Sequence, residues 1–137
     1  MEIVDELVGR DYLDDKGNIK GQIDVETGII IVTPYNMQVR KLKKALPDGA
    51  RVASVDKFQG QEAPIIIVSM CASPGEFGSR GMQFILDKNR LNVAISRTQS
   101  LAIVVGDPRL AESQASNIED MRRMNLYCWL RSLGSHV

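Results

Sequence analysis

Three short apolar runs dominate the hydropathy pattern: Ile29-Ile30-Ile31-Val32, Ile65-Ile66-Ile67-Val68 and Leu101-Ala102-Ile103-Val104-Val105. None alternates with polar residues, so each predicts a strand covered on both faces, as in a parallel sheet. Val52-Ala53-Ser54-Val55 predicts a shorter strand. The segments between carry helical periodicity. Residues 2–8 space Ile3, Val4, Leu7 and Val8 as a short helix that Gly9 ends, and Asp14-Asp15-Lys16-Gly17-Asn18 reads as a turn. Thr33-Pro34 predicts a helix start, a hydroxyl cap followed by proline in the first turn. Val39, Leu42 and Leu46 then form its apolar stripe, Arg40, Lys41, Lys43 and Lys44 fill the rest, and Pro47-Asp48-Gly49 stops it.

Residues 73–81 are glycine-rich and predict a loop. Asp87 caps an expected helix that buries Leu91, Ala94 and Ile95. Ser116-Asn117-Ile118-Glu119 has the capping-box pattern. The helix it opens places Leu126, Trp129, Leu130 and Leu133 on one face, with Gly134 as its stop. Buried strands alternating with helices predict an α/β fold, one domain with a parallel sheet wrapped by helices.

Composition agrees. A chain of 137 residues that is 44% hydrophobic can bury about two-thirds of its unfolded surface, which excludes a disordered segment. No run approaches the roughly 20 apolar residues of a membrane span. The first residues are acidic, without the basic-then-apolar order of an export signal, so an intracellular location, cytoplasmic or nuclear, is expected. Cys71 and Cys128 have no metal-ligand spacing, and in a reducing compartment they predict two free thiols. No metal site is expected. The single His136, next to the last residue, offers no basis for histidine catalysis.

The 17 basic and 17 acidic residues cancel, but unevenly. Residues 1–28 hold three basic and eight acidic groups, and the remainder is correspondingly positive. Gln38–Lys57 is the richest stretch, with six basic residues against two acidic ones. Such a cluster is either a solvated face or a patch that meets phosphate.

Several chemistries are missing. The chain has no Gly-x-x-x-x-Gly-Lys-[Ser/Thr] phosphate loop, no Gly-x-Gly-x-x-Gly fingerprint, no His-Glu-x-x-His and no Gly-x-Ser-x-Gly elbow. Alone, it has no evident means of holding a triphosphate and its magnesium. What it does have are polar segments at the ends of predicted strands, where ligands of open parallel sheets bind. These are Thr33-Pro34-Tyr35-Asn36-Met37-Gln38, Ser54 to Glu62 and Gly106-Asp107, with Asn89 to Arg97 in the helix before the third apolar strand.

Together these segments resemble motifs IV, V and VI of superfamily 1 helicases. Asp56-Lys57-Phe58-Gln59-Gly60-Gln61-Glu62 has the motif V form, and Asn92-Val93-Ala94-Ile95-Ser96-Arg97 the motif VI form, of the branch containing the nonsense-mediated-decay RNA helicase. The Gln-x-x-Gly-Arg-x-x-Arg pattern of superfamily 2 is absent. The resemblance covers about residues 29–108. It implies that residues 1–137 are a single RecA-like domain with the fold of the P-loop NTPases, the second of two such domains in a larger helicase. ATP and magnesium would be held mainly by the first RecA-like domain, the other half of the cleft, with single-stranded DNA or RNA as the track and movement 5′→3′.

By that resemblance Arg97 is the arginine finger; the alternative is a salt bridge at a helix end. Gly60 and Glu62 resemble motif V residues near the nucleotide. Gly60 would allow close backbone approach, and Glu62 would accept a ribose hydroxyl or hold a basic partner; a plain turn is the alternative. Gln38 resembles the motif IV glutamine. Some relatives follow that glutamine with a second arginine, where this chain has Val39; Arg40 stands about 100° further around the helix. Thr33, Ser54 and Val55 fit backbone contacts to a strand, and Tyr35 fits stacking on a base. A satisfied strand hydroxyl at Ser54 and a core aromatic at Tyr35 are the alternatives. Asp56 and Lys57 could couple motif V to the other domain. Two rivals stand beside the motor: a non-catalytic nucleic-acid-binding or docking module on the same fold, and, remotely, a dinucleotide enzyme.

Overall fold

The computed structural model describes residues 2–58, 60–70, 87–112, 114–115 and 117–134. The expected loop at 73–81, Cys71, Gln59, Ser116 and His136 lie outside the described residues. The chain opens with α1 (Glu2–Leu7), followed by β1 (Asp11–Leu13) and β2 (Ile19–Gln22). It continues through β3 (Ile29–Thr33), α2 (Asn36–Ala45), β4 (Arg51–Ser54) and β5 (Ala63–Ser69). Then come α3 (Lys88–Ser96), β6 (Thr98–Val105) and α4 (Ile118–Leu133).

The central sheet is parallel throughout, in the order β4-β3-β5-β6. Every residue of β3 is buried, and so is β5 up to Ser69. The third apolar run breaks the expectation: β6 lies at the edge of the sheet, where it is not covered on both faces, and leaves Leu101 and Val105 45% and 41% exposed. Alternate residues serve opposite faces. Ile29, Ile31, Ile65 and Ile67 join Val4 and Ile23 on one side, where Val39, Leu42 and Leu46 of α2 pack. Ile30, Val32, Ile66 and Val68 meet Leu91, Ala94 and Tyr127 of α3 and α4 on the other. The mostly parallel sheet with helices on both faces is the expected α/β RecA-like architecture. Among the described residues no helix is long and apolar enough to cross a membrane.

Several local expectations needed correction. Thr33 ends β3 rather than capping α2; Tyr35 occupies the cap position and makes no side-chain capping bond. The Thr33 side chain is fully buried, so it belongs to the sheet. The expected turn at 14–18 joins β1 and β2 as an antiparallel hairpin, whose strands are too short and polar to show a period. Asp14 holds that turn, accepting from the backbone N–H groups of Lys16 (2.9 Å) and Asn18 (2.8 Å). The Asn18 contacts keep its carboxyl below the ordinary carboxylate range.

α4 is rotated relative to expectation. Its N-cap is Asn117, whose side chain accepts from the N–H of Asp120 at 2.8 Å. Its inward face centres on Tyr127, with Asp120 buried near its start and ion-paired to Arg123 at 3.1 Å. Leu126 and Leu130 pack at the margin of the core, whereas Trp129 and Leu133 are 56% and 64% exposed. The Tyr127 hydroxyl decides the rotation by donating to the Asp107 carbonyl at 2.9 Å, while burial pushes its pKa up.

Before β3, Asp24 organises the chain by accepting from the N–H groups of Glu26 and Thr27, both at 2.7 Å. The turn closes on Gly28. A Cβ there would stand 2.7 Å from the Asp24 carbonyl oxygen and 2.9 Å from its nitrogen, against backbone that cannot swing away. Gly28→Ala is expected to destabilise the domain by about 1–3 kcal/mol, read as a lower midpoint in urea unfolding. An unchanged midpoint would show that the turn has slack.

Candidate functional site

A parallel sheet has two unlike rims, and the residues singled out in the sequence divide between them. Thr33 and Ser54 are register partners at the C-terminal ends of β3 and β4. Both are buried, as is Val55, so the side chain presented outward at this rim is Tyr35, 37% exposed. After Ser54 the chain makes a single 3-10 turn, Val55–Lys57, with Asp56 and Lys57 exposed. Phe58 is fully buried and anchors that turn in the core cluster that holds Leu91 and Ala94.

At the C-terminal end of β6, Asp107 is engaged locally. Its Oδ1 accepts from the Arg109 N–H at 2.9 Å, and its Oδ2 from Arg109 Nη2 at 2.6 Å. These hydrogen bonds hold its carboxyl below the usual carboxylate range. Beside it, a Cβ on Gly106 would lie 3.0 Å from the Tyr127 Oη and 3.2 Å from Met70 Cγ. The segment is spoken for by packing.

The opposite rim gathers the other set. Glu62 immediately precedes β5, Arg97 immediately precedes β6, and the first residues of these strands, Ala63 and Thr98, are paired. Arg97 Nη1 lies 3.4 Å from Glu62 Oε1, with side-chain exposures of 42% and 55%. Residues 35 positions apart are thus brought together at the surface. The contact is a salt bridge at the end of α3, the alternative given for Arg97, and in it Glu62 holds a basic partner.

Arg97 caps α3 at φ −95°, ψ 0°, outside the regular helix, which turns its side chain off the helix axis. The start of α3 is set as expected: Asp87 accepts from the N–H groups of Asn89 at 2.8 Å and Arg90 at 3.2 Å. Gly60 has φ +83°, and an added Cβ would meet nothing within 4 Å. Its need for glycine is therefore conformational, worth about 1–2 kcal/mol against an L side chain, and the space beside it is open.

Gln38 and Arg40 are carried by α2, on the face of the sheet opposite α3. The structure therefore joins Glu62 to Arg97 but mounts Gln38 and Arg40 on the other flank.

Two contacts escaped the sequence reading. The Gln61 Oε1 accepts from Arg51 Nη2 at 3.0 Å, while its Nε2 donates to the Lys57 carbonyl at 3.3 Å, bracing the segment between the rims. Arg90 Nη2 lies 3.3 Å from Asp56 Oδ1, linking the turn after β4 to the first turn of α3. Neither has a local sequence signal, because partners on different elements carry no fixed spacing. Among the described residues no group of three or more His, Cys, Asp or Glu side chains could hold a metal ion, and Cys128 is a free, exposed thiol.

A family model described as an AAA domain, AAA_12, matches residues 2–109. The chain belongs to this AAA domain family. Relatives of the AAA domain include putative helicase mov-10-B.2 of Danio rerio, 35% identical over 101 residues covering 63% of this chain and 10% of that protein. Probable RNA helicase armi of Drosophila melanogaster is 34% identical over 109 residues, covering 72% of this chain and 9% of that protein. DNA polymerase alpha-associated DNA helicase A of Saccharomyces cerevisiae is 37% identical over 87 residues, covering 60% and 12% respectively. The AAA domain is a helicase-family domain, and it spans about a tenth of the length of the curated relatives it matches.

The Glu62–Arg97 pair is exposed on both sides, and such pairs contribute little to folding. Glu62→Gln is expected to change the unfolding free energy of the AAA domain by less than about 1 kcal/mol in urea titration. A larger loss would make the pair a fold contact rather than a surface group free to exchange partners.

Proposed function

We propose that this domain is the second RecA-like motor domain of an ATP-dependent superfamily 1 helicase or translocase, with Arg97 as its arginine finger. The observation that carries this reading is the exposed Glu62–Arg97 pair at the N-terminal rim, beside an open Gly60. A guanidinium held loosely at the surface by one carboxylate can exchange it for phosphate oxygens. It is planar, permanently charged and needs no proton transfer to bind an oxyanion. Released from Arg97, Glu62 accepts a hydroxyl, and Gly60 admits the nucleotide close to the backbone. Gln38 and, further around α2, Arg40 are the candidates on the other flank.

ATP and magnesium would be bound mainly by a first RecA-like domain that carries the phosphate loop this chain lacks. ATP bound in the cleft supplies the scissile phosphoryl bond, whose charge spreads over the transferred oxygens. Arg97 stabilises that charge as the cleft closes.

At the other rim, Tyr35 offers a stacking face. The backbone at Ser54 and Val55 and the basic face of α2 offer contacts to the phosphates of single-stranded DNA or RNA. Thr33, Ser54 and Val55, being buried, shape this rim and position its backbone.

In the full-length protein, Arg97→Ala should lower turnover by about 10³-fold or more while ATP binding, measured by equilibrium titration, is largely kept. A non-catalytic docking module would hydrolyse nothing in either form. Unchanged turnover in a protein that does hydrolyse ATP would remove the finger assignment.

A further inference from the structure

We propose that the Asp56–Arg90 ion pair is a positioning contact that transmits strand binding at one rim of the sheet to Arg97 at the other. The inference rests on the motor reading above. Its basis is that two segments run side by side on one face of the sheet, from the C-terminal rim to the N-terminal rim. The chain from Val55 to Glu62 leaves the C-terminal end of β4 and reaches the N-terminal end of β5. Helix α3 likewise ends at the N-terminal rim, where Arg97 precedes β6.

The two segments are tied at both ends. Asp56 Oδ1 lies 3.3 Å from Arg90 Nη2 near the strand-facing turn, and Glu62 Oε1 lies 3.4 Å from Arg97 Nη1 at the nucleotide-facing rim. Between the ties, Val55 and Phe58 of one segment share a buried cluster with Leu91 and Ala94 of the other. Arg90 and Arg97 are seven positions apart, about 10 Å along a helix, and a helix this short moves as a rod.

The Arg90 and Asp56 side chains are 29% and 61% exposed, and those of Arg97 and Glu62 are 42% and 55% exposed. In this scheme the Asp56–Arg90 link stays closed while Glu62–Arg97 opens to nucleotide. A displacement of the Val55–Lys57 turn by a bound strand is then passed to α3 and arrives at Arg97 as a change in finger position. Neither Asp56 nor Arg90 touches nucleotide in this scheme; both act through Arg97.

The test uses the full-length protein and measures ATP hydrolysis with and without saturating oligo(dT) or oligo(U), together with oligonucleotide affinity. Asp56→Asn should lower stimulation by the oligonucleotide about tenfold, leaving strand-free turnover and oligonucleotide affinity at wild-type levels. Asp56→Glu, which keeps the carboxylate, should recover most of the stimulation. The double variant Asp56→Asn/Arg90→Gln should be no worse than the more affected single variant, as for two groups acting through one contact.

Equal loss of strand-free and stimulated turnover in Asp56→Asn would overturn the proposal in favour of a purely structural contact. Full stimulation in that variant, weakened oligonucleotide binding, or additive effects in the double variant would also overturn it. The two readings fail separately. A wild-type protein without strand-stimulated hydrolysis removes the motor reading and this inference with it. A stimulated wild type whose Asp56→Asn variant is equally stimulated removes this inference alone.

Discussion

The structure depends on the two-sided burial of β3 and β5. Ile29 to Val32 and Ile65 to Val68 have no polar residue to turn toward water, so each face of the central pair must be covered. At about 25 cal/mol per Å² of apolar surface removed from water, these eight side chains, all buried, are a concentrated source of stabilisation. They force α2 onto one face and α3 and α4 onto the other. They also leave most ionisable groups to the rims and the outer faces of the helices, with Asp120 and Tyr127 of α4 buried.

Parallel strands make those rims unequal. Each connection leaves a strand at the C-terminal rim and must return to the N-terminal rim before the next strand begins. Residues close in sequence, such as Ser54 and Glu62, therefore finish at opposite ends of the sheet. Residues far apart, such as Glu62 and Arg97, finish together. The segments from Val55 to Glu62 and along α3 span the two ends and are tied to each other near both. Electrostatics follow the same division: Asp107 is committed to Arg109 by a close pair of hydrogen bonds, while Arg97 and Glu62 stay accessible.

Much of this was legible beforehand. The buried strands β3 and β5, the Asp87 cap and the α2 stripe follow from local physics: unbroken apolar runs, helical period and capping geometry. The failures were equally physical. Thr33 has the chemistry of a cap, but its place in the β3 ladder outweighed the single hydrogen bond a cap would contribute. In α4, counting apolar residues favoured a face with Trp129 and Leu133. One buried hydroxyl bond from Tyr127 and the buried, ion-paired Asp120 turned the helix so that both stand in solvent. The β1–β2 hairpin was missed because strands of three and four residues carry too few positions to show a period.

By itself the sequence determined the layered α/β architecture, the positions of the longer elements and which residues to nominate for the candidate site. Each of these depends on residue type and spacing along one chain. Only the tertiary structure decided which candidates meet. Pairings such as Glu62 with Arg97, Asp56 with Arg90 and Arg51 with Gln61 arise where separate elements cross, and their distances are set by sheet order and handedness. The same folding withdrew Thr33 and Ser54 from the surface, since burial depends on neighbours that a linear pattern does not identify.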